Sequence, residues 1–463
     1  MLFNSLEFLI FLPLALIIHS LCIPRRFWRG RKIFLVVASY LFYMSWNPFF
    51  GLLLLGSTLI DYSLGIALER TTGPVRRRLL LCVSLAFNLG MLGYFKYGNF
   101  VADNLYHLFG LTEPPHWDIL LPIGISFYTF ESLAYTINVY RGERACRSLL
   151  DFSLFLSFFP HLVAGPIVRP RAFIPQLGSA PVVTGPDVEQ ALARIAQGFL
   201  KKVLLADVLG QYVDQVWGDL GAYPAGNVLL AYYAYAFQIY FDFSGYTDIA
   251  LGVSRLFGLW LPENFDRPYL AQSPREFWQR WHISLSTWLR DYLYISLGGN
   301  RGSRVRTYLN LLITMLLGGL WHGAAWNFVV WGGYHGALLA GHRLFTDRRP
   351  PADRGPVATA LCRVGMFHLV VLGWVFFRAP SLAESIVSLG RLATPGYIVV
   401  RAGSEAAILV AVGLLLHVAP PAAKLRERFV TLSPVAQGLA YSAATIAAFF
   451  LAPASERFIY FQF

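Results

Sequence analysis

Charged residues are scarce in this sequence. They make up 14% of its 463 residues, whereas hydrophobic residues make up 56% and the mean hydropathy is +0.51. An average soluble domain carries about 25% charged residues, so a chain of this length and balance cannot hide its apolar surface in one soluble core. Its apolar runs are long and continuous, unlike the short alternating strands of a transmembrane barrel. The composition therefore predicts an all-α polytopic integral membrane protein.

Cysteines are few, and several familiar catalytic motifs are missing. The four cysteines lie far apart and predict neither a metal cluster nor a disulfide framework. The chain has no GxSxG elbow, no GxGxxG fingerprint and no HExxH helix. His335 and His342 are seven residues apart with no evident third ligand. We therefore expect no metal and no permanently bound cofactor.

Acidic residues are outnumbered by basic ones, 26 to 38, which gives a net charge of +12. The basic residues do not form one patch but stand at the ends of apolar runs, as they do in the cytoplasmic loops of membrane proteins. Membrane topology explains this charge better than nucleic acid does, so no nucleic-acid partner is expected. The first apolar run has its charges after it, which is wrong for a cleaved signal peptide.

The basic clusters predict about twelve crossings in one membrane domain, 1–463, with both chain ends outside the cytoplasm. Arg391 and Arg401 are minor violations of this trace. The segment 149–168 is broken by Pro160, Gly165 and Pro166, and we predict that it is re-entrant or kinked. The predicted crossings are residues 7–23, 33–46, 48–68, 79–98, 119–140, 198–217, 228–256, 307–320, 324–341, 364–378, 404–419 and 434–451.

The stretch LLGGLWHGAAWNFVVWGGYHG, 316–336, places a titratable side chain inside an apolar run. Such residues are costly in a membrane and are candidates for function. A neutral His322 could act as a general base toward a hydroxyl group, or it could simply be hydrogen-bonded between helices. His335 lies thirteen residues further on, and we expect it to be outside the surroundings of His322.

The stretch 273–304 is too charged to face lipid, so it must be protein-lined, re-entrant or on the cytoplasmic surface. We predict that Trp281 and Trp288 share one helical face, with Ser286 one turn after His282. The loop GGNRGSR that follows, with Arg301, could cradle a pyrophosphate or be a basic cytoplasmic turn.

Two further motifs contain polar side chains in apolar surroundings. In YFDFSGYTD, Asp242 and Asp248 are six residues apart and lie on opposite helical faces, so we predict hydrogen-bonded packing rather than paired-carboxylate chemistry. The final FIYFQF, 458–463, follows the last predicted crossing and fits an interface anchor. Tyr460, four residues from the C-terminus, is unusual enough to keep as a candidate.

Several motifs together resemble the membrane-bound O-acyltransferase (MBOAT) family, in particular its bacterial branch that acylates exported cell-envelope polymers. They are LPIGISFYTFESLAYTINVYRG, FFPHLVAGPIVRP, YFDFSGYTDIALG, ENFDRPY, EFWQRWHISLSTWLRDYLYISLGGNRG and TMLLGGLWHGAAWNFVVWGGYHG. The resemblance implies a ring of tilted helices with re-entrant segments and a central tunnel. It also implies a multi-pass protein of the bacterial cytoplasmic (inner) membrane.

The resemblance assigns roles to residues. It implies that His322 is catalytic and that His282 lies near the reaction path. The tail resembles a C-terminal aromatic motif whose tyrosine carries the acyl group in the teichoic-acid system, which makes the segment 453–463 an extracytoplasmic tail and Tyr460 an acyl carrier. The expected donor-binding residues are Trp281, Arg290, Asp291, Asn300, Arg301 and Trp321.

The expected function is transfer of an acetyl group from a cytoplasmic thioester, acetyl-coenzyme A or an acyl carrier protein, across the membrane. The expected partners are membrane lipids, an extracytoplasmic serine-dependent acetyltransferase and an exported polysaccharide such as alginate or peptidoglycan. Three alternatives stay open: a direct lipid or protein acyltransferase, a transporter of solute or acyl donor, and a structural role in a polymer-export complex.

Overall fold

The computed structural model describes residues 1, 3–111, 113–348, 355–394, 396, 403–451 and 458–459. These residues form helices and connecting turns, with no strand among them. The chain divides into two compact units, one made of residues 1–192 and 249–262 and the other of residues 193–248 and 263–463. The predicted all-α class is confirmed.

The first unit contains the N-terminal helices. Its helix boundaries follow local signals: the Ser5 side chain caps α1 by accepting from the backbone N–H of Phe8, and Pro48 and Pro74 occupy first turns. The helices are α1 (Leu6–Ile17), α2 (Trp28–Met44), α3 (Pro48–Arg70), α4 (Pro74–Leu92), α5 (Gly98–Leu108), α6 (Ile125–Tyr140), α7 (Leu149–Ser157), α8 (Phe159–Leu162) and α9 (Pro170–Phe173).

The segment 149–168 is broken, as predicted. Helix α7 ends at Ser157, and only the single turn of α8 follows before extended chain. A buried carboxylate supports the non-helical part: Glu131 of α6 accepts a 2.8 Å hydrogen bond from the backbone N–H of Val168 and lies 3.1 Å from Nδ1 of His161. Helix α6 begins only at Ile125, so the crossing predicted from residue 119 is shorter than expected.

The helices Gly185–Phe199 and Ala225–Leu256 each contain residues of both units, and the other helices named next belong to the second unit. The helices are α10 (Gly185–Phe199), α11 (Asp207–Gly218), α12 (Ala225–Leu256), α13 (Pro274–Arg280), α14 (Ile283–Trp288), α15 (Arg304–His322), α16 (Trp326–Arg348), α17 (Pro356–Arg378), α18 (Leu382–Arg391), α19 (Ser404–Val418), α20 (Ala422–Val430) and α21 (Pro434–Leu451). The predicted hairpin at 307–341 corresponds to α15 and α16, each longer than expected.

Three helical stretches within the described ranges are long and apolar enough to cross a membrane by themselves: Pro48–Arg70, Pro74–Leu108 and Pro356–Arg378. They coincide with the crossings predicted at 48–68, 79–98 and 364–378. Two more pairs of helices pass the same criterion only together and are bent, by 111° for Leu6–Cys22 with Arg25–Met44 and by 84° for Ser404–Val418 with Ala422–Val430. The count of about twelve crossings, the ring and the tunnel stay predictions.

Candidate active site

A close helical hairpin positions His322. A side chain on Gly319 would place its Cβ 2.2 Å from the carbonyl oxygen of Phe328, and one on Gly332 would be 2.3 Å from that of Met315. Only glycine permits this approach of the two backbones. Helix α15 ends at His322 itself, where the chain turns through extended Gly323 into α16. The imidazole therefore lies at the closed end of the hairpin.

The His322 ring lies among aromatic side chains. It is only 5% exposed, and its centroid is 4.9 Å from Trp321, 5.0 Å from Trp331 and 5.1 Å from Phe377, all in edge-on arrangements. Edge contacts direct the positive rim of one ring toward the face of another and hold a ring at a defined tilt. Packing against these three rings therefore contributes to the orientation of this imidazole.

His282 lies at a break between two short helices. Helix α13 ends at Arg280, Trp281 is extended, and His282 adopts a left-handed conformation with φ 42° before α14 begins. Such a conformation is uncommon for a residue with a side chain and persists only where neighbours enforce it. The prediction that Trp281 and Trp288 share one helical face is therefore wrong, because the chain changes direction between them.

Asn264 is the residue that holds this break. Its side-chain oxygen accepts from the backbone N–H of Ser284 at 3.0 Å and from the Ser284 hydroxyl at 2.9 Å, and Nδ1 of His282 is 3.2 Å away. Its own carbonyl oxygen accepts from the backbone N–H of Ile283 at 3.0 Å. The turn around His282 is thus bonded to one asparagine through both its main chain and its side chain.

This arrangement also determines where the His282 proton lies. A backbone N–H can only donate, so the Asn264 atom that faces Ser284 must be the amide oxygen. The Nδ1 atom of His282 shares that acceptor and therefore donates its proton to it. In the neutral imidazole the basic lone pair is then on Nε2. His282 is fully buried, so Asn264 sets both its orientation and its tautomer.

Trp321 stands between the two histidines. Its ring centroid is 6.2 Å from that of His282 and 4.9 Å from that of His322. His335 belongs to the same cluster, because Trp331 contacts both His322 and His335, the latter at 4.9 Å. The expectation that His335 lies outside the surroundings of His322 is wrong, since the chain turns back between the two residues.

A cavity of about 1040 Å³ lies beside the hairpin. This volume is at the upper end of ligand pockets, which measure about 300–1,000 Å³. Leu311, Thr314 and Met315 of α15 line it, and Met315 precedes His322 by two helical turns, roughly 10 Å. Trp278 also lines it, and that ring contacts Trp331 at 5.7 Å.

Charged side chains and one histidine line the cavity. They are Arg275, Glu276, Arg290, Arg343, Asp347 and His342. Arg343 lies 3.8 Å from Asp347 and Arg290 lies 2.8 Å from Asp291, whereas Arg275 has no ion pair within the part of the chain that the structure describes. A cavity with arginines at its wall can bind the phosphates of an anionic ligand.

The expected donor-binding residues separate into two groups. Arg290 and Asn300 line the cavity. Trp281 and Trp321 do not; they are buried in the aromatic cluster around the histidines, with Trp281 4.9 Å from Trp374. Asp291 contacts Arg290 but does not line the cavity, and Arg301 is exposed on the turn after Gly298 and Gly299.

The C-terminal tail is described at Phe458 and Ile459 only, and Tyr460 lies outside the described residues. Both residues are buried, at 3% and 5% exposure. The Phe458 ring is 5.8 Å from Phe243, whose ring is 4.7 Å from His282. This part of the tail therefore contacts the same aromatic side chain as one of the two histidines.

Asp242 and Asp248 bind different cations, which confirms that they do not act as a pair. Asp242 is 2.8 Å from Nζ of Lys202, and Asp248 is 2.7 Å from Nζ of Lys201 and 2.9 Å from Nε of Arg194. Both carboxylates are hydrogen-bonded within the packing, as predicted, and cations are among their partners. Opposite faces of α12 point to two neighbouring lysines, so the two carboxylates have different cationic partners.

Sequence reasoning missed three contributors to the site. Asn264 stands in the ENFDRPY motif, which received no role because an asparagine in a loop is an ordinary turn residue. Arg275 lies in the charged stretch 273–304 and Arg343 follows the predicted crossing 324–341, and only the folded cavity shows that they face one volume.

Comparison with known proteins agrees with this geometry. The model of the MBOAT family, the membrane-bound O-acyltransferases, matches residues 77–371, a range that contains both histidines. The chain is 45% identical to the probable alginate O-acetylase AlgI of Pseudomonas aeruginosa over 390 residues, 82% of this chain and 73% of that protein. It is 34% identical to the peptidoglycan O-acetyltransferase of Helicobacter pylori over 385 residues, 77% of this chain and 72% of that protein.

A more distant similarity extends to the teichoic acid D-alanyltransferase of Bacillus subtilis. The two chains are 29% identical over 283 residues, which is 57% of this chain and 70% of that protein. The family match covers more than half of the chain, and the resemblance drawn from its motifs is confirmed. The chain belongs to the membrane-bound O-acyltransferase family and is an acyltransferase embedded in a membrane.

Proposed function

We propose that this protein transfers an acetyl group from a thioester donor to the extracytoplasmic side of the bacterial inner membrane, where an exported polysaccharide receives it. One observation carries the proposal: two buried imidazoles, His282 and His322, contact the same Trp321 ring beside a charged cavity. The names of the relatives, an alginate O-acetylase and a peptidoglycan O-acetyltransferase, supply the class of acceptor. Alginate is the first polymer to test because its acetylase is the more similar relative.

The cavity is the proposed donor site. The phosphates of coenzyme A, or of the phosphopantetheine arm of an acyl carrier protein, would lie near Arg275, Arg290 and Arg343, which line the cavity. The thioester end would extend along α15 toward His322. Gly318 is the position there with a flexible neighbour, because a Cβ on it would lie 3.1 Å from the end of the Leu289 side chain, whereas Gly319 is packed against the backbone of α16.

The proposed reaction passes through Tyr460. His322 accepts the phenol proton, the phenolate oxygen attacks the thioester carbonyl carbon, a C–O bond forms, and the C–S bond breaks. The departing thiolate then takes the proton from His322. The pKa values of a phenol and a thiol are about 10 and 8.5, so the phenyl ester is still an activated acyl donor. An extracytoplasmic partner with a serine nucleophile would pass the acetyl group from Tyr460 to the polymer.

His282 has a separate part in this scheme. Its Nδ1 proton is donated to Asn264, so Nε2 presents a lone pair that can accept a hydrogen bond from the attacking hydroxyl or from the thiol that leaves. The His282 ring also contacts Phe243, which contacts the tail residue Phe458. We assign His282 to positioning of the reacting groups and His322 to the proton transfer.

Two alternatives make different predictions. A direct lipid or protein acyltransferase would release coenzyme A only with its final acceptor present and would not need Tyr460. A transporter of the donor would still move its solute after His322→Ala, whereas the enzyme would lose acyl transfer. The buried imidazole of His322 favours the enzyme, because a transport path does not require a general base.

The function is tested in cells that lack the gene and make alginate. Complementation with wild type should restore acetyl esters on the secreted polymer, measured by nuclear magnetic resonance. Tyr460→Phe should leave the protein in the membrane at normal level and restore none, because the phenolic oxygen is the proposed carrier. Full acetylation by Tyr460→Phe would exclude the relay and leave direct transfer.

The donor site has its own test. Arg275→Ala should raise the KM for acetyl-coenzyme A by about ten-fold with little change in kcat, because a charge-assisted contact to phosphate is lost in both ground and transition states. Arg301→Ala is the matched control, since that arginine is exposed and does not line the cavity. Equal KM values for the two variants would mean that the donor does not bind in this cavity.

A further inference from the structure

A buried ionic group in the second unit contacts the C-terminal tail, and neither the cavity nor the histidine cluster accounts for it. Nζ of Lys202 lies 2.6 Å from Asp207 and 2.8 Å from Asp242, and all three side chains are almost fully buried. A buried carboxylate is costly unless a cation or a hydrogen-bond donor compensates each of its oxygens.

The tail supplies such a donor. The backbone N–H of Ile459 donates a 2.8 Å hydrogen bond to Oδ2 of Asp242, while Oδ1 of the same carboxylate faces Lys202. The Ile459 side chain is buried in the apolar core of this unit, and the centroid of the Phe458 ring lies 4.8 Å from that of Tyr246 and 5.8 Å from that of Phe243. A main-chain contact and two side-chain contacts thus fix the two tail residues that immediately precede Tyr460.

We infer that Asp242, held by Lys202, is a positioning residue that docks the C-terminal tail onto α12 and thereby presents Tyr460 to the histidine cluster. The consequence for Tyr460 rests on the proposed function, whereas the docking of the tail onto Asp242 does not. The peptide bond after Ile459 leads directly to Tyr460, and two consecutive Cα atoms are about 3.8 Å apart. Fixing the Ile459 backbone therefore restrains the point from which the next residue of the chain continues.

The docking is tested through a main-chain substitution. Ile459→Pro removes the N–H donor, whereas Ile459→Ala removes most of the same side chain but keeps the donor. Asp242→Ala is a poorer test, because it removes a buried carboxylate that contacts Lys202 as well as the tail, and its loss could disturb the whole unit. The tail variants leave Lys202, Asp207 and Asp242 in place.

Tryptic release of the last six residues reports on docking without reference to activity. Trypsin cleaves after Arg457, and the residues that follow the bond, Phe458 and Ile459, are buried, so cleavage requires the tail to undock. When undocking is fast relative to cleavage, the rate follows the population of the undocked form. Full-length protein in detergent should release FIYFQF about ten-fold to a hundred-fold faster as Ile459→Pro than as Ile459→Ala, because a hydrogen bond to a charged group is lost.

Two further outcomes separate this inference from the proposed function. Equal release rates for the two variants would overturn the docking role of Asp242, whether or not Tyr460 carries acetyl. Faster release by Ile459→Pro, with acetyl transfer unchanged, would keep the docking and reject the relay. If both proposals hold, Ile459→Pro should lower kcat for acetyl transfer relative to Ile459→Ala, with the KM for acetyl-coenzyme A unchanged. Asp242→Asn, which keeps an acceptor oxygen but loses its charge, should release the hexapeptide faster than wild type.

Discussion

The region around His282 and the region around His322 both bury an imidazole, but they orient it by different interactions. At His282 the chain leaves the helix, and hydrogen bonds to Asn264 hold a left-handed turn. At His322 the chain stays helical to the last residue, and aromatic edges with a glycine-lined hairpin hold the ring. The first ring has an assigned proton; the second is surrounded by apolar groups.

This difference indicates different tasks. An imidazole with a fixed tautomer can accept a hydrogen bond from a hydroxyl group and orient that group. The hydrogen bond at Nδ1, however, limits the movement of the ring. A ring held by packing can gain and lose a proton with little rearrangement of its neighbours. The comparison supports our proposal that His322 transfers the proton and His282 positions the reacting groups.

The largest effect is expected at the packed histidine. His322→Ala should lower acetyl transfer from acetyl-coenzyme A by about 10³-fold, within the 10²–10⁴ that general bases contribute. His368→Gln is the matched control, because His368 is exposed on α17. Both variants should elute as folded protein in gel filtration. A His322→Ala variant with near-normal transfer would reverse the roles of the two histidines.

An intermediate effect is expected at the hydrogen-bonded histidine. Asn264→Ala removes the acceptor shared by His282 and Ser284 and should reduce kcat by about ten- to a hundred-fold, because the turn and the tautomer both lose their restraint. Asn264→Asp keeps an acceptor oxygen and should retain more activity than the alanine variant. Steady-state kinetics in detergent measure both. If the two variants lose activity equally, the hydrogen-bond acceptor at Nδ1 of His282 does not account for the loss of kcat.

The smallest effect is expected in the hairpin that supports His322. Gly332→Ala would press its Cβ against the backbone carbonyl of Met315, whereas Gly333→Ala would only touch the end of the Leu316 side chain at 3.4 Å. The first should destabilise the protein by about 1–3 kcal/mol and lower activity several-fold through displacement of Trp331. The second should match wild type. Thermal unfolding in detergent compares the two variants. Similar midpoints would mean that the hairpin tolerates a wider separation of α15 and α16.

The sequence predicted the helices better than the turns and breaks that separate them. The hairpin of α15 and α16 was foreseen because two apolar runs meet at a polar, glycine-containing turn, although both helices are longer than the runs. The break at His282 was not foreseen, since RWHISLS contains neither glycine nor proline and favours a continuous helix. Asn264, eighteen residues earlier, imposes it through tertiary hydrogen bonds, which local propensity does not include.

The site residues show the same difference between what local sequence predicts and what only folding determines. His322 and His282 were singled out because a buried titratable residue is costly, and their motifs resemble those of the family. The cavity could not be predicted, because Arg275, Arg290 and Arg343 come from three separate segments that only folding brings to one wall. The contact of Asp242 with Ile459 spans 217 residues and has no trace in the spacing of either motif.

The most direct test of the account is mass spectrometry of the C-terminal peptide after incubation with isotope-labelled acetyl-coenzyme A and no partner protein. Wild type, His322→Ala and Tyr460→Phe are compared side by side. The account predicts label on Tyr460 in wild type and none in either variant, with coenzyme A released in proportion to the label. No label in wild type, with coenzyme A released once acceptor and partner are added, would contradict it.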